Sequence, residues 1–222
     1  MDREHAVVTL RRLGAVGSFD PQGPQSVMLT GRSITDADLE SLAAMSELEF
    51  LELRAVDVTG PGLEHLRSLS KLHTLILDST PVCDAGVAVL ADMKWLVRLD
   101  LAYCTNITDA GVAHVGGLTR LQHLSLCHTQ VTDAGLASLE GLTDLEELDL
   151  HSTPVTDAGL AHLSRLTKLR ELNLGFTHVT DMGLKHLECL TDLTELNLED
   201  TKVSRTAIDD LRRCLPRVMI LY

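Results

Sequence analysis

The chain has 222 residues with 19 basic and 32 acidic side chains, which gives a formal net charge of −13 at pH 7. Hydrophobic residues make up 45% and aromatic residues 3% of the sequence, so the composition is that of a folded globular chain. No apolar stretch reaches the roughly 18 residues of a membrane span, and no basic cluster is present for a nucleic acid or an anionic membrane. The acidic balance instead favours a protein or peptide partner with a basic patch.

The opening sequence, Met1-Asp2-Arg3-Glu4-His5, is not typical of a signal peptide. The five cysteines form no C-x-x-C pair and lie about 20 residues or more apart, which favours neither a zinc ribbon nor a disulfide framework. They stand at positions 83, 104, 127, 189 and 214. We therefore expect reduced thiols in a cytoplasmic, monomeric protein that holds no cofactor.

A helix is predicted over residues 3–13, before Gly14 ends it. Its apolar side chains fall on one helical face: Ala6, Val7, Leu10 and Leu13. The segment Asp20-Pro21-Gln22-Gly23 predicts a turn, so residues 15–19 are expected to form a hairpin with the strand that follows. Residues 1–24 are thus predicted to be an N-terminal capping helix and turn.

A repeat of 24 residues follows, so that the segment Leu145–Leu160 recurs at Leu169–Leu184. The step between the last leucines of the L-x-x-L-x-L core is 24 residues, broken once by 25. These leucines are Leu29, Leu53, Leu77, Leu101, Leu126, Leu150, Leu174 and Leu198. The extra residue lies around Cys104-Thr105-Asn106. A fixed period of this length predicts a solenoid of stacked repeats, here over residues 25–204.

Each repeat is predicted to contain one strand, one turn and one short helix. The alternation in Leu148-Asp149-Leu150 is typical of a strand, and leucines at a spacing of three in residues 160–166 are typical of a helix or 3₁₀ turn. Thr156 is placed to cap the helix, and Asp157 lies in its first turn, where a negative charge meets the positive end of the helix dipole. We expect nine parallel strands in one sheet.

Side chains that recur at one position of the repeat are interpreted as structural. Four histidines occupy one helical position: His65, His114, His162 and His186. Five threonines share the turn after the strand, where a hydroxyl can satisfy backbone groups. They are Thr80, Thr129, Thr153, Thr177 and Thr201. Cys104 stands in or next to this position and is expected to pack in the core.

The chain ends with a predicted helix over residues 205–214 and a strand over residues 218–222, separated by Pro216. Cys214 is expected to occupy a core leucine position. Residues 205–222 are therefore predicted to be a C-terminal capping helix and strand.

The motif L-x-x-L-x-L-x-x-T-x-V-T-D-A-G-L, which runs from about residue 25 onward, resembles the leucine-rich repeat family. It is most similar to the cysteine-containing type of F-box substrate receptors and of many bacterial repeat proteins, with threonine in the cysteine position and about two residues fewer per repeat. The resemblance implies an α/β solenoid, a right-handed horseshoe with a parallel concave sheet and short convex helices. It also implies an adaptor role.

Residues that escape the repeat lie on the strand face opposite the leucines, and they carry the functional information. Scarce aromatic side chains fall there among charges, as on protein-binding surfaces. The candidate partner-binding residues are Phe50, Arg98, Asp100, Tyr103, His123, His128, Asp149, His151, Glu171, Phe176 and Glu195. The preferred hypothesis is a non-catalytic protein–protein interaction module; a solvated face without a partner is an alternative.

A second alternative is a hydrolase or a metal-binding site around Cys127 and His151. These two residues occupy equivalent positions of adjacent repeats, about 5 Å apart at the backbone. An open concave sheet, however, offers neither a water-excluded pocket nor oxyanion donors, so no enzymatic activity is expected.

Overall fold

Ten strands form one sheet in chain order in the computed structural model, which describes residues 2–20 and 25–222. They are β1 (Val16–Ser18), β2 (Gln25–Thr30), β3 (Leu48–Arg54), β4 (Thr74–Ile76), β5 (Arg98–Asp100), β6 (His123–Ser125), β7 (Glu147–Asp149), β8 (Glu171–Asn173), β9 (Glu195–Asn197) and β10 (Met219–Leu221). All neighbours from β2 to β10 pair in parallel. The prediction of nine parallel strands in a solenoid is confirmed.

Helices alternate with these strands. The α-helices are α1 (Arg3–Arg12), α2 (Asp84–Leu90), α3 (Asp109–Val115), α4 (Asp133–Ala137), α5 (Asp157–Leu160), α6 (Asp181–Leu184) and α7 (Arg205–Cys214). The 3₁₀ segments are Asp36–Ala44, Pro61–Leu66, Ser138–Gly141, Ala161–Arg165 and Lys185–Leu187. Within the described residues, no helix is long and apolar enough to span a membrane.

The strand leucines and the helix leucines pack into one continuous core between the sheet and the helices. Leu148 and Leu150 of β7 and the turn after it are 2% and 0% exposed, and Leu160 and Leu163 of the same repeat are fully buried. Since every repeat contributes the same positions, each repeat covers the apolar surface of its neighbours.

A hydroxyl closes the turn after the strand, as predicted. Thr153 donates a hydrogen bond from Oγ1 to the carbonyl of Leu150 at 2.6 Å. The same bond is formed by Thr80, Thr129, Thr177 and Thr201. Cys104 takes the position in the repeat with the extra residue, where its buried thiol donates to the Leu77 carbonyl at 3.1 Å.

A carboxylate links each helix start to the next repeat. Thr156 caps α5 by accepting the N–H of Ala158, as predicted. Asp133 of the preceding repeat accepts two hydrogen bonds from Thr156, one from the backbone N–H at 2.8 Å and one from the hydroxyl at 2.6 Å. We call this pair of hydrogen bonds the staple. The same staple joins Asp36 to Thr59, Asp84 to Thr108, Asp109 to Thr132, Asp157 to Thr180 and Asp181 to Ser204. Asp157 thus lies in the first turn of α5, as predicted, and also holds the next repeat.

The glycine of the T-D-A-G motif makes room for this staple. A Cβ atom on Gly159 would lie 2.4 Å from Oδ1 of Asp133, closer than nonbonded atoms approach. The corresponding distance is 2.4 Å at Gly183 to Asp157. The motif is therefore one device, in which the aspartate, the next threonine and the next glycine act together.

At the two ends, the helices and strands seal the core. Val16–Ser18 pairs antiparallel with Ser26–Met28, which forms the predicted hairpin; the predicted turn falls mostly on residues 21–24, outside the described residues. The prediction for Cys214 is wrong. Its thiol is exposed, and Leu215, at 3% exposure, fills the core position instead, because α7 reaches one residue further than the short helices of the repeats.

Candidate functional site on the concave face

The side of the sheet that faces away from the helices, here called the concave face, carries side chains that differ from repeat to repeat. Parallel pairing in register places each strand position beside its equivalent: Glu147 pairs with Glu171, and Glu171 pairs with Glu195. The face is therefore a set of columns that run across the strands.

Four rings form a chain across successive repeats, which we call the ring ladder: Tyr103, His128, His151 and Phe176. Tyr103 stacks on His128 with ring centroids 4.4 Å apart and planes 17° apart. His151 lies 5.5 Å from His128 and meets Phe176 edge-on at 5.0 Å. The two ends of the ladder are open to solvent, since Tyr103 is 51% and Phe176 is 50% exposed. The sequence placed these residues on one face but did not predict their mutual contacts.

A left-handed turn at the end of each strand displays the ladder. Tyr103, His128 and Phe176 have φ values of 59°, 54° and 57°. Ala55 and Ser79 adopt the same conformation at the same position. Because repeats without a ring share it, the conformation belongs to the solenoid turn and not to a binding site alone.

Gly175 lets the ladder continue from His151 to Phe176. His151 stands one position before the other ring positions, so its ring must lean across the next repeat to reach Phe176. A Cβ atom on Gly175 would lie 2.9 Å from Nδ1 of His151. The absence of a side chain at Gly175 is therefore what makes room for the His151 ring.

A groove of about 380 Å³ runs along the other flank of the concave face, from Arg98 to Met219. Its wall is the carboxylate row, formed by Glu147, Glu171 and Glu195. Burial, followed by repulsion from Glu147 and Glu195, raises the pKa of Glu171. Within the described residues, no Lys, Arg or His forms an ion pair with Glu171 or Glu195.

Two basic side chains offset Glu147 at the start of this row. Nδ1 of His123 lies 2.6 Å from Oε2 of Glu147, off the direction of a ring N–H bond, so the contact is an ion pair when the imidazole is protonated. Arg98 lies 3.8 Å from the same oxygen. Glu147, Arg98 and His123 thus form a local cluster, and ion-pair contacts of this row with basic side chains of the described residues end at Glu147.

The central column has a structural function that sequence reasoning missed. Asp100 accepts the backbone N–H of Ala102 at 2.9 Å, and Asp149 accepts that of His151 at 2.9 Å. Asn173 likewise accepts the backbone N–H of Gly175, and Asn197 accepts that of Glu199. Each side chain thereby caps the end of its strand with one oxygen. Burial raises the pKa of Asp100.

The remaining predicted site residue, Phe50, stands apart from the ladder. It is half-buried on β3, in the column of Thr74 and Arg98, whereas the ladder lies at the ends of β5–β8. Near it, Arg54 forms ion pairs with Glu52 at 2.9 Å and Asp78 at 2.8 Å. In the N-terminal part of the concave face, one cation therefore offsets part of the charge of two carboxylates.

Cys127 does not have the character of a nucleophile. Burial, followed by the negative charges of Asp149, Asp100 and Asp78, raises the pKa of its thiol to about 12, so the thiol is protonated at neutral pH. In the part of the chain that the structure describes, no three or more His, Cys, Asp or Glu side chains are arranged to hold a metal ion. The His151 ring contacts the rings of His128 and Phe176.

Comparisons with known proteins agree with this architecture. A family model described as "Leucine Rich repeats (2 copies)" matches residues 119–162, and one described as "Leucine Rich repeat" matches residues 92–114 and 165–187. Internalin C2 from Listeria monocytogenes is similar over 89% of this chain and 80% of its own, with 29% identity and a TM-score of 0.69. No curated protein matches the sequence significantly.

A leucine-rich repeat protein from Leptospira interrogans is also similar in structure. The match covers 82% of this chain and 57% of the Leptospira chain, with 21% identity and a TM-score of 0.53. At that identity, the likeness shows the fold alone.

Proposed function

Since this chain is a leucine-rich repeat protein, and such proteins serve in general as protein–protein interaction modules, we propose that its concave face binds a protein partner that carries a basic patch. The observation that carries the proposal is the ring ladder, which exposes Tyr103 and Phe176 on the same face as the carboxylates Glu171 and Glu195. Exposed aromatic anchors beside a field of one sign are the composition of a binding surface.

The two features contribute differently to binding. Rings that become buried against a partner remove apolar area from water, and their loss mainly raises the off-rate. Carboxylates act at longer range, so they mainly raise the on-rate for a basic partner and lose influence when salt shortens the Debye length to about 8 Å or less. Aromatics therefore set the affinity and carboxylates set the rate of association.

An adaptor role without catalysis belongs to the same proposal. The protonated Cys127 thiol and the open groove supply no activated nucleophile. All five cysteines are free, which is typical of a reducing compartment and supports a cytoplasmic location. The monomeric state stays a prediction.

The test uses the full chain as bait and compares three variants with the wild type. Tyr103→Ala should weaken a captured partner by about 1–3 kcal/mol through its off-rate. Glu171→Lys combined with Glu195→Lys should lower the on-rate at low salt. Glu188→Lys, on an exposed position of the helical side, is the matched control and should change neither rate.

The outcome is read on the complex as well as on the rates. Hydrogen exchange should slow at the strand ends and turns of β5–β9 when the partner binds. If the concave-face variants bind as well as the wild type, and protection appears on the helical side instead, the proposal is wrong.

A further inference from the structure

Two rows of side chains cross the concave face side by side. The ring ladder lies at the ends of β5–β8, and the carboxylate row lies at the starts of β7–β9. Phe176 follows Glu171 by five residues, so the rows are at most about 16 Å apart at about 3.3 Å per residue. An α-helix with its side chains is about 10–12 Å across, which lies within this upper limit.

The spacing along the rows separates a helix from an extended segment. Neighbouring strands are about 4.8 Å apart, so the three steps of the ring ladder span about 14 Å. One stripe of a helix repeats every turn, about 5.4 Å, which gives about 16 Å over three steps. One side of an extended segment repeats every second residue, about 6.7 Å, which gives about 20 Å. Side chains can absorb the mismatch of about 2 Å but not that of about 6 Å.

The floor between the rows carries the short polar side chains of the central column. Asp149, Asn173 and Asn197 line the groove, and each uses one oxygen to cap its own strand. Ser125 lines the groove beside them. Such a floor suits the narrow, polar or small-residue side of a helix that lies across the strands.

We propose that the concave face binds an amphipathic helix of the partner, with an apolar stripe on the ring ladder and a basic stripe on the carboxylate row. This inference rests on the function proposed above and adds the shape of the occupant. Because the carboxylate row starts two strands later than the ladder, the basic residues lie further toward the end that contacts β10. There Met219 and Leu221, at 57% and 56% exposure, offer apolar contacts to the last turn.

The test uses two synthetic peptides of one composition. The groove spans five strand intervals, about 24 Å, which a helix of about 16 residues covers. The first peptide carries leucines on one side and lysines on the other at helical spacing, with alanine and glutamine elsewhere. The second has the same residues rearranged so that leucine and lysine alternate, and it presents the two stripes only when extended.

The first peptide should bind at least about tenfold more tightly than the second and gain helical circular dichroism on binding. Phe176→Ala and Glu171→Gln should each weaken it about tenfold, whereas Glu188→Gln should not. A proline in the middle of the first peptide should abolish the difference, since it breaks the helix.

Other outcomes overturn the inference in distinguishable ways. If the alternating peptide binds more tightly and the concave-face variants weaken it, the helical occupant is wrong while the proposed function stands. If either peptide binds but no concave-face variant changes its affinity, both proposals fail. If neither binds at millimolar concentration, the helical occupant is wrong, and the capture experiment with Tyr103→Ala decides the proposed function separately.

Discussion

Carboxylates stand at two places in the repeats: in the first turn of the helices, here called the turn side, and on the concave face. Their hydrogen-bond and ion-pair partners differ between the two places. Asp133 on the turn side accepts two hydrogen bonds from Thr156, and the same bonds recur from repeat to repeat. Glu171 on the concave face stands between two other carboxylates and pairs with no basic side chain of the described residues. The aspartate of the turn side holds the neighbouring repeat at all six of its positions. Glutamate stands at the position of Glu171 in only three repeats, at Glu147, Glu171 and Glu195.

A gradient along the concave face sharpens this comparison. Toward the N-terminus, Arg54 bridges Glu52 and Asp78, and further along His123 and Arg98 offset Glu147. Beyond that point, no Lys, Arg or His of the described residues lies within ion-pair distance of Glu171 or Glu195. A surface whose carboxylates have cationic partners toward one end and form no ion pair with the described residues at Glu171 and Glu195 has a preferred place for a basic ligand.

The largest expected effect separates the shared core from the open edge of the sheet. Leu148→Ala removes a fully packed side chain, so it should lower the free energy of unfolding by about 2–5 kcal/mol through the cavity it leaves. Leu221→Ala, at a position that is 56% exposed, should cost much less. Urea denaturation of both variants measures the difference. Equal losses would show that burial does not follow the repeat.

The fold was predictable because the same residue types recur at the same positions of each repeat. One period was enough to place the strands, the capping threonines and the buried leucines. The contacts within the ring ladder were harder to predict from the sequence. The contact between His151 and Phe176 depends on the missing side chain of Gly175, which stands one position before Phe176.

Two other features needed three-dimensional structure for related reasons. Asp133 and Thr156 are 23 residues apart, and only the stacking of repeats brings them together. A signal was nevertheless present, because Asp, Thr and Gly recur with one period. Cys214 was misplaced because α7 is longer than the helices of the repeats, so the register no longer applied there.

The staple on the turn side should give the second largest effect. Gly159→Ala would force a Cβ atom to within 2.4 Å of Asp133 Oδ1, so it should cost about 1–3 kcal/mol of stability. Asp133→Ala should cost a similar amount, since it leaves the N–H and hydroxyl of Thr156 without their acceptor. Thermal unfolding measures both, and the exposed Asp192→Ala serves as the control. If the double variant loses no less than the sum of the two single losses, the glycine and the aspartate do not act together.

Lowering the pH should weaken the stabilisation by the turn-side carboxylate Asp181, and it should have the opposite effect on stability through Glu171 on the concave face. Hydrogen bonds from the N–H and hydroxyl of Ser204 lower the pKa of Asp181 below its ordinary value of 3.8. This staple therefore stabilises the fold above pH 3.8, and the stabilisation is lost as the pH falls through the lower folded pKa. Asp181→Asn should flatten the steepest acid part of the stability curve, measured by denaturation at a series of pH values below about 4.

Glu171 should change the stability in the opposite direction, and in a higher pH range than Asp181. Its folded pKa is raised above the ordinary value of 4.5, so protonation favours the folded state, and stability should rise as the pH falls from above the raised pKa toward 4.5. Glu171→Gln should remove that rise and leave the limb below pH 4 unchanged. A flattened limb at low pH in this variant would place Glu171 among the structural carboxylates.

The smallest effect is the one that bears most directly on function. At pH 7, Glu171→Gln removes repulsion from Glu147 and Glu195 on the adjacent strands, so it should raise the free energy of unfolding by a few tenths of a kcal/mol, up to about 0.5. The same change should weaken a basic partner, because the field at the groove becomes less negative. High salt should remove the gain in stability, since the charges are partly exposed and screened. Glu188→Gln on the helical side should change neither quantity. A loss of stability above about 1 kcal/mol would mean that Glu171 holds the fold as Asp133 does, whereas a small gain paired with weaker binding is what a residue retained for a partner should show.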